Sequence, residues 1–140
     1  RPWQHVLEPI SGYLLLGENL NNMNNISGES FNFGPNQDSN YSVERLLDEL
    51  MIHFKALKWN DTSSSKIYKE AGLLKLNCDK ALSYLNWKPN LNFEDTIKFV
   101  ADWYIKYNSK IDMYDFTMNQ IKEYVLMAEN NNLNWSNESN

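Results

Sequence analysis

The sequence opens with the stretch Arg1-Pro-Trp-Gln-His-Val-Leu-Glu-Pro-Ile-Ser-Gly-Tyr-Leu-Leu-Leu16. Pro9 suits the first turn of a helix, because its missing N–H leaves no hydrogen bond unmade there. A helix is therefore predicted from about Glu8 to Leu20. Its middle offers little polar surface, since it carries the apolar side chains Ile10, Tyr13, Leu14 and Leu16. This pattern predicts a helix that is buried on more than one side.

Capping residues and apolar spacing predict further helices downstream. They are expected over Val43 to Leu57 behind Ser42, from Asp79 to Leu85, from Phe93 to Tyr107 behind Asn92, and from about Thr117 to Glu129. The alternating run Ser30-Phe-Asn-Phe33 before Gly34-Pro35 predicts a short strand that enters a turn. Further brief extended segments are expected at 66–68 and 73–77. The predicted fold class is therefore mainly α with short β strands (α+β).

Composition limits the function classes. With 140 residues and a net charge of −5, the chain suffices for one domain and argues against a surface that tracks phosphate backbones. The single cysteine, Cys78, excludes an intramolecular disulfide framework and a Cys-rich zinc site. We expect a domain over 1–129 and a flexible Asn/Ser-rich tail over 130–140, with docking of Leu133 and Trp135 as the alternative. The start without methionine suggests a part of something longer.

The common phosphate-binding and nucleophile motifs are absent from the sequence. It has no Gly-x-Gly-x-x-Gly, phosphate-binding Gly-Lys-Ser/Thr loop or nucleophile elbow. His5 and His53 are the only histidines, so no metal site is expected. The run at the start is different: Arg1 offers a planar donor fork for phosphate, Trp3 a stacking surface and His5 a donor. The alternative is structural, with Trp3 in the core, His5 satisfied locally and Arg1 solvated.

Five motifs follow one another in a fixed order along the chain. They are the opening stretch 1–16, Phe31-Asn-Phe-Gly-Pro35, Glu70-Ala-Gly-Leu-Leu-Lys-Leu-Asn-Cys-Asp-Lys-Ala81, Leu85-Asn-Trp-Lys-Pro-Asn-Leu91 and Asp102-Trp-Tyr104. In this order they resemble the C-terminal half of CDP-glucose 4,6-dehydratases, a group of extended short-chain dehydrogenase/reductases.

The resemblance implies a division of labour. In such enzymes an N-terminal Rossmann half holds NAD and carries the catalytic groups, while the C-terminal part grips the nucleotide-sugar. The intact enzyme would convert CDP-D-glucose to CDP-4-keto-6-deoxy-D-glucose and water in the bacterial cytoplasm, as a homo-oligomer, supplying deoxysugars for surface polysaccharides. No nucleic acid or membrane partner is implied. The chain alone is expected to be inactive and to hold neither NAD nor catalytic residues.

By the same resemblance, the substrate-binding residues are Arg1, Trp3, His5 and Glu70. Arg1 would contact phosphate, Trp3 and His5 would line or support the pocket, and Glu70 would accept hydrogen bonds from ribose hydroxyls. Lys69 stands where this group usually has His. Two alternatives stay open: part of another nucleotide-sugar dehydratase or epimerase, and a standalone helical interaction module. A part of a larger enzyme should expose an apolar face, with 14–16 and the Val43 helix as candidates.

Overall fold

The computed structural model describes residues 1–22, 24–62 and 75–136, and the regular elements in these ranges are all helical. The helices are α1 (Leu7–Leu20), α2 (Val43–His53), α3 (Asp79–Leu85), α4 (Phe93–Asn108) and α5 (Met113–Asn130). Short 3-10 turns lie at Asn24–Ile26 and Asn134–Ser136. The helical part of the predicted fold class is therefore confirmed.

Side-chain caps fix where the longer helices begin. Ser42 Oγ accepts a hydrogen bond of 3.0 Å from the Arg45 N–H, and Asn92 Oδ1 accepts one of 2.7 Å from Asp95. Both caps agree with the sequence prediction. Helix α5 begins at Met113 rather than near Thr117, because Asp112 Oδ1 accepts a bond of 2.8 Å from the Tyr114 N–H. An acidic cap one turn upstream thus lengthens this helix.

The prediction of short β strands is wrong for the described residues. Residues 30–33 alternate as predicted, with Phe33 buried and Asn32 exposed, but no neighbouring backbone in the described ranges forms a ladder with them. The Phe33 carbonyl accepts instead from the Gln4 side chain, and the Asn32 side chain donates to the Asn77 carbonyl. A strand needs a partner strand, and alternation alone does not supply one. The predicted segment 66–68 and most of 73–77 lie outside the described residues.

Two apolar clusters form the core. The first surrounds Trp87, which is 1% exposed, and packs Phe33 against helix α3. The second joins Leu91, Phe99 and Tyr124, which ties α4 to α5. Trp135 packs against both clusters and stacks on Tyr124 with 5.6 Å between ring centroids.

Residues 133–136 therefore pack on the body of the protein. Leu133 is buried and Trp135 is half-buried, so the docked alternative for this part of the predicted tail is confirmed. Residues 137–140 lie outside the described residues. The division into a domain over 1–129 and a tail stays a prediction.

Helix α1 turns its small and polar residues inward. Glu8, Ser11 and Gly12 are buried, whereas Tyr13 and Leu14 are 63% and 71% exposed. The prediction that this helix is buried on more than one side is therefore not met within the described residues. Gly12 explains the close approach: a Cβ at this position would lie 2.3 Å from the Phe33 ring. The missing side chain lets α1 sit directly against the Phe33 segment.

Candidate functional site

Glu8 is the most deeply buried charged side chain that the described residues show, with 1% of its surface exposed. Its carboxylate accepts hydrogen bonds from the backbone N–H groups of Asn90 and Leu91, the latter at 2.7 Å. The Tyr124 hydroxyl donates to Glu8 Oε2 at 3.1 Å. One carboxylate thus joins α1, the connector between α3 and α4, and α5.

Three neighbouring groups complete this cluster. Trp87 Nε1 donates to Ser11 Oγ at 3.0 Å, and the same oxygen lies 3.2 Å from the Tyr124 hydroxyl. The Asn90 side chain donates to the Tyr124 carbonyl at 2.8 Å. We call this set the Glu8 cluster: Glu8, Ser11, Trp87, Asn90, Leu91 and Tyr124. Because its polar atoms are hydrogen-bonded, the cluster fixes the position of α1 without leaving buried donors unpaired.

Burial determines the proton affinities inside the cluster. Loss of solvation raises the pKa of Glu8, although the N–H groups of Leu91 and Asn90 and the Tyr124 hydroxyl oppose this shift. Burial, followed by the Glu8 charge, raises the pKa of Tyr124 so far that its hydroxyl stays protonated. Tyr124 is therefore a permanent donor to Glu8.

The residues before α1 are hydrogen-bonded to the segment 33–41. The backbone nitrogen of Arg1 lies 2.8 Å from Asn40 Oδ1 and 2.8 Å from the Tyr41 carbonyl oxygen. Trp3 Nε1 donates to the same Tyr41 carbonyl at 3.1 Å, so the half-buried indole has only its ring faces left for a ligand. Tyr41 stacks on Phe93 with 3.9 Å between ring centroids, which connects this region to the start of α4. The opening stretch is thus held in place by several elements.

His5 lies beneath this segment and is 9% exposed. Its Nδ1 accepts a hydrogen bond of 3.3 Å from the Leu7 N–H, and its ring meets Phe99 edge-on at 5.6 Å. Burial lowers the pKa of His5, because the charged imidazolium would lose its hydration. His5 is therefore neutral at neutral pH, with its proton on Nε2.

The structure brings Arg1, Trp3 and His5 into one segment at the entry of α1. Glu70, the fourth predicted substrate-binding residue, lies outside the described residues, as does Lys69. The assignment of these residues to a substrate stays a prediction.

A cavity of about 240 Å³ lies beside His5, between the start of α1 and helices α4 and α5. We call it the His5 cavity, and its lining is mostly apolar and aromatic: His5, Val6, Leu7, Val100, Trp103, Tyr104, Thr117, Gln120 and Ile121.

Metal ligands do not gather in the part of the chain that the structure describes, where no three His, Cys, Asp or Glu side chains are close enough to hold an ion. The same described ranges contain no helix with the length and apolar character needed to cross a bilayer.

Sequence reasoning missed the Glu8 cluster. Glu8 was recognised only as part of a motif, and Tyr124 lies 116 residues away along the chain. One local signal was present, since Glu8 is an acidic residue next to a stretch predicted to be buried. Nothing in the sequence, however, pairs it with Tyr124 or with the backbone at Asn90.

Comparison with known proteins gives one clear relationship, although no protein-family model matches the chain. The CDP-glucose 4,6-dehydratase of Salmonella typhimurium (strain LT2) is 32% identical over 130 residues. The aligned region covers 89% of this chain and 35% of the Salmonella protein, so the chain spans about a third of the length of this curated relative. The resemblance inferred from the ordered motifs is confirmed, and the chain is a homologue of part of CDP-glucose 4,6-dehydratase.

Proposed function

We propose that the chain is the C-terminal, nucleotide-sugar-binding part of a CDP-glucose 4,6-dehydratase and acts with an NAD-binding part. The observation that carries this proposal is the 32% identity to the Salmonella dehydratase over most of the chain. The intact protein would be a cytoplasmic lyase that removes water from CDP-D-glucose and yields CDP-4-keto-6-deoxy-D-glucose.

In this proposal the opening segment faces the sugar nucleotide. The Arg1 guanidinium pairs with diphosphate oxygens, for which its planar fork of donors is suited. Trp3 presents a ring face, since its N–H is already bonded to Tyr41. His5 supports the segment from below through its bond with Leu7. Glu70 accepts from ribose hydroxyls, a role suited to a carboxylate.

The outer face of α1 packs against the NAD-binding part. Exposed apolar side chains on this face, Tyr13 and Leu14 among them, support the contact. The face continues into an apolar groove of about 410 Å³ between α1 and α5, where Leu14, Val125 and Trp135 form part of the lining. NAD would supply hydride transfer in the intact enzyme. Rossmann folds hold NAD with a glycine-rich turn that follows a paired strand. The described residues contain no such turn, so we assign none of their side chains to NAD.

A chimaera tests the proposal. The segment of the Salmonella dehydratase that aligns with this chain is replaced by the chain itself, and formation of a 4-keto product from CDP-glucose is measured. We expect turnover of CDP-glucose in preference to the UDP-, GDP- and dTDP-glucose analogues. The unmodified Salmonella protein is the positive control, and the separate 140-residue chain should show no turnover.

Variants of the opening segment make the test specific. Arg1→Gln in the chimaera should raise the KM for CDP-glucose at least tenfold, because a charged hydrogen bond to phosphate contributes about 1.5–3 kcal/mol. Lys88→Gln is the matched control, since Lys88 is an exposed cation outside the opening segment. A folded chimaera that prefers another nucleotide would assign the chain to a different dehydratase or epimerase. Equal KM values for the two variants would remove Arg1 from the site.

A further inference from the structure

The His5 cavity has a size that restricts its occupant. Its volume of about 240 Å³ exceeds that of a cavity of roughly 150 Å³ that admits benzene. It falls below the range of about 300–1,000 Å³ that is usual for drug-sized ligands. A single substituted ring therefore fits, whereas a nucleotide does not.

The walls of the cavity favour an aromatic ring. Trp103 and Tyr104 meet edge-on with 5.4 Å between ring centroids, and both line the cavity together with aliphatic side chains. Aromatic rings gain energy from such edge and offset contacts in addition to the burial of apolar surface.

Two buried polar side chains of the lining keep unused hydrogen-bonding atoms. His5 uses Nδ1 as an acceptor for Leu7, so the neutral ring carries a donor at Nε2, and no acceptor bonds to it in the described ranges. Gln120 donates from Nε2 to the Phe99 carbonyl at 2.8 Å, which leaves its Oε1 as an acceptor. Among the described residues, the side-chain atoms that are fully buried and have no hydrogen-bond partner belong to Gln4 and Trp135. His5 Nε2 and Gln120 Oε1 are not among these atoms.

We propose that the His5 cavity binds a small, neutral aromatic amide or lactam. The ring lies against Trp103 and Tyr104, the ligand carbonyl accepts from His5 Nε2, and the ligand N–H donates to Gln120 Oε1. An ionised ligand is disfavoured, since no charged side chain is among the lining residues and the walls are mostly apolar. This site is separate from the proposed phosphate contact of Arg1 and does not depend on it.

Benzamide is the probe, and the 140-residue chain is titrated while the imidazole ¹H–¹⁵N signals of His5 are followed by NMR. We expect a saturable shift at His5 Nε2. Ethylbenzene has a similar shape but lacks the amide, and it should bind about tenfold more weakly, as two neutral hydrogen bonds would predict. No saturable shift up to the solubility limit of benzamide, or equal affinity for both compounds, would overturn the proposal.

Variants locate the probe. His5→Phe keeps a ring but removes the donor, and should weaken benzamide binding about fivefold without weakening ethylbenzene. Because His5 is buried and its replacement can unfold the chain, Tyr104→Ala provides a second variant at a side chain that is 53% exposed. It should also weaken benzamide severalfold. Tyr114→Ala is the matched control, since Tyr114 is exposed but does not line the cavity. Equal effects of the two tyrosine variants would place the probe elsewhere and refute the site.

Discussion

Helices α1 and α4 differ in the kind of side chain that they bury most deeply. Helix α4 buries apolar side chains such as Phe93, Ile97 and Phe99. Helix α1 buries Glu8 and Ser11, and it exposes apolar residues on its other side. The apolar face of α4 is thus used within the described chain, whereas that of α1 is left over.

The difference separates two kinds of attachment. Helix α4 is held by the burial of an apolar stripe, and such packing tolerates substitutions that conserve side-chain volume. Helix α1 adds to the partial packing of Leu7, Leu15 and Leu16 on the core clusters a set of directed hydrogen bonds in the Glu8 cluster. The close contact of Gly12 with Phe33 fixes it further. Directed bonds fix a position and rotation of α1, which leaves its apolar side free for a second partner. Each prediction below tests one part of this contrast.

The largest effect is expected from Glu8→Gln. The amide keeps the shape but places an N–H₂ group among donors, which leaves at least one buried donor unpaired. The free energy of unfolding should fall by about 3 kcal/mol, as measured by urea denaturation. Glu94→Gln is the matched control, because Glu94 occupies the same second position of α4 but is exposed. It should change stability by less than about 0.5 kcal/mol. Similar losses for the two variants would contradict the contrast between the helices.

A smaller loss is expected when α1 is pushed away from Phe33. In Gly12→Ala the new methyl group would overlap the Phe33 ring, and such overpacking costs about 2 kcal/mol. Gly17→Ala is the control on the same helix, since no atom lies within 4 Å of the added Cβ. This variant should gain about 0.5 kcal/mol from the better helix propensity of alanine. Thermal unfolding followed by circular dichroism measures both, and a gain for Gly12→Ala would show that the close approach is absent.

Acidification should weaken the opening segment through His5. Burial lowers the pKa of His5 in the folded chain, so the unfolded chain binds more protons between that pKa and 6.5. The stability that His5 contributes is therefore fully present above pH 6.5 and is lost as the pH falls through the folded pKa. Urea midpoints measured across this range should decline in the wild-type chain, and the decline should be smaller in His5→Phe. His53→Gln controls for the other histidine, and equal profiles for His5→Phe and the wild type would contradict the prediction.

The smallest effect on the chain itself is expected on the outer face of α1. Leu14 is 71% exposed, so Leu14→Gln should change the stability of the 140-residue chain by less than about 0.5 kcal/mol. In the chimaera with the Salmonella dehydratase the same change should lower the thermal midpoint clearly if the proposed contact between this face and the NAD-binding part forms. Tyr114→Gln, at a 73% exposed position of α5, should leave both proteins nearly unchanged. An unaffected chimaera would show that the outer face of α1 has no partner in the enzyme.

Local signals in the sequence were sufficient for the helices. The sequence identifies Ser42 and Asn92 as caps because N-capping depends on residues three positions apart. Helix α3 has the predicted bounds Asp79–Leu85. The end of α2 was less well predicted, since apolar spacing continues to Leu57 although the helix ends at His53.

Which face of a helix is buried was harder to predict. On α4 the helical spacing of Phe93, Ile97 and Ala101 continues to Tyr104, but Tyr104 is exposed and Phe99 is buried instead. On α2 the charged side chain of Glu49 is buried, and it pairs with Arg45 at 3.0 Å. Which side chains of a helix are buried depends on neighbours that are distant in sequence, and apolar periodicity does not identify those neighbours. For the same reason the candidate site was predicted only as a segment and not as a set of contacts.

The bond between Tyr124 and Glu8 closes a loop of 116 residues. Long-range contacts of this kind form only after a large entropic cost has been met. During synthesis from the N-terminus, α1 emerges long before α5 and has neither Tyr124 nor the Asn90 backbone to receive its carboxylate. The order of translation therefore leaves the Glu8 carboxylate solvated until residue 90 has left the ribosome, and without its Tyr124 donor until residue 124 has followed.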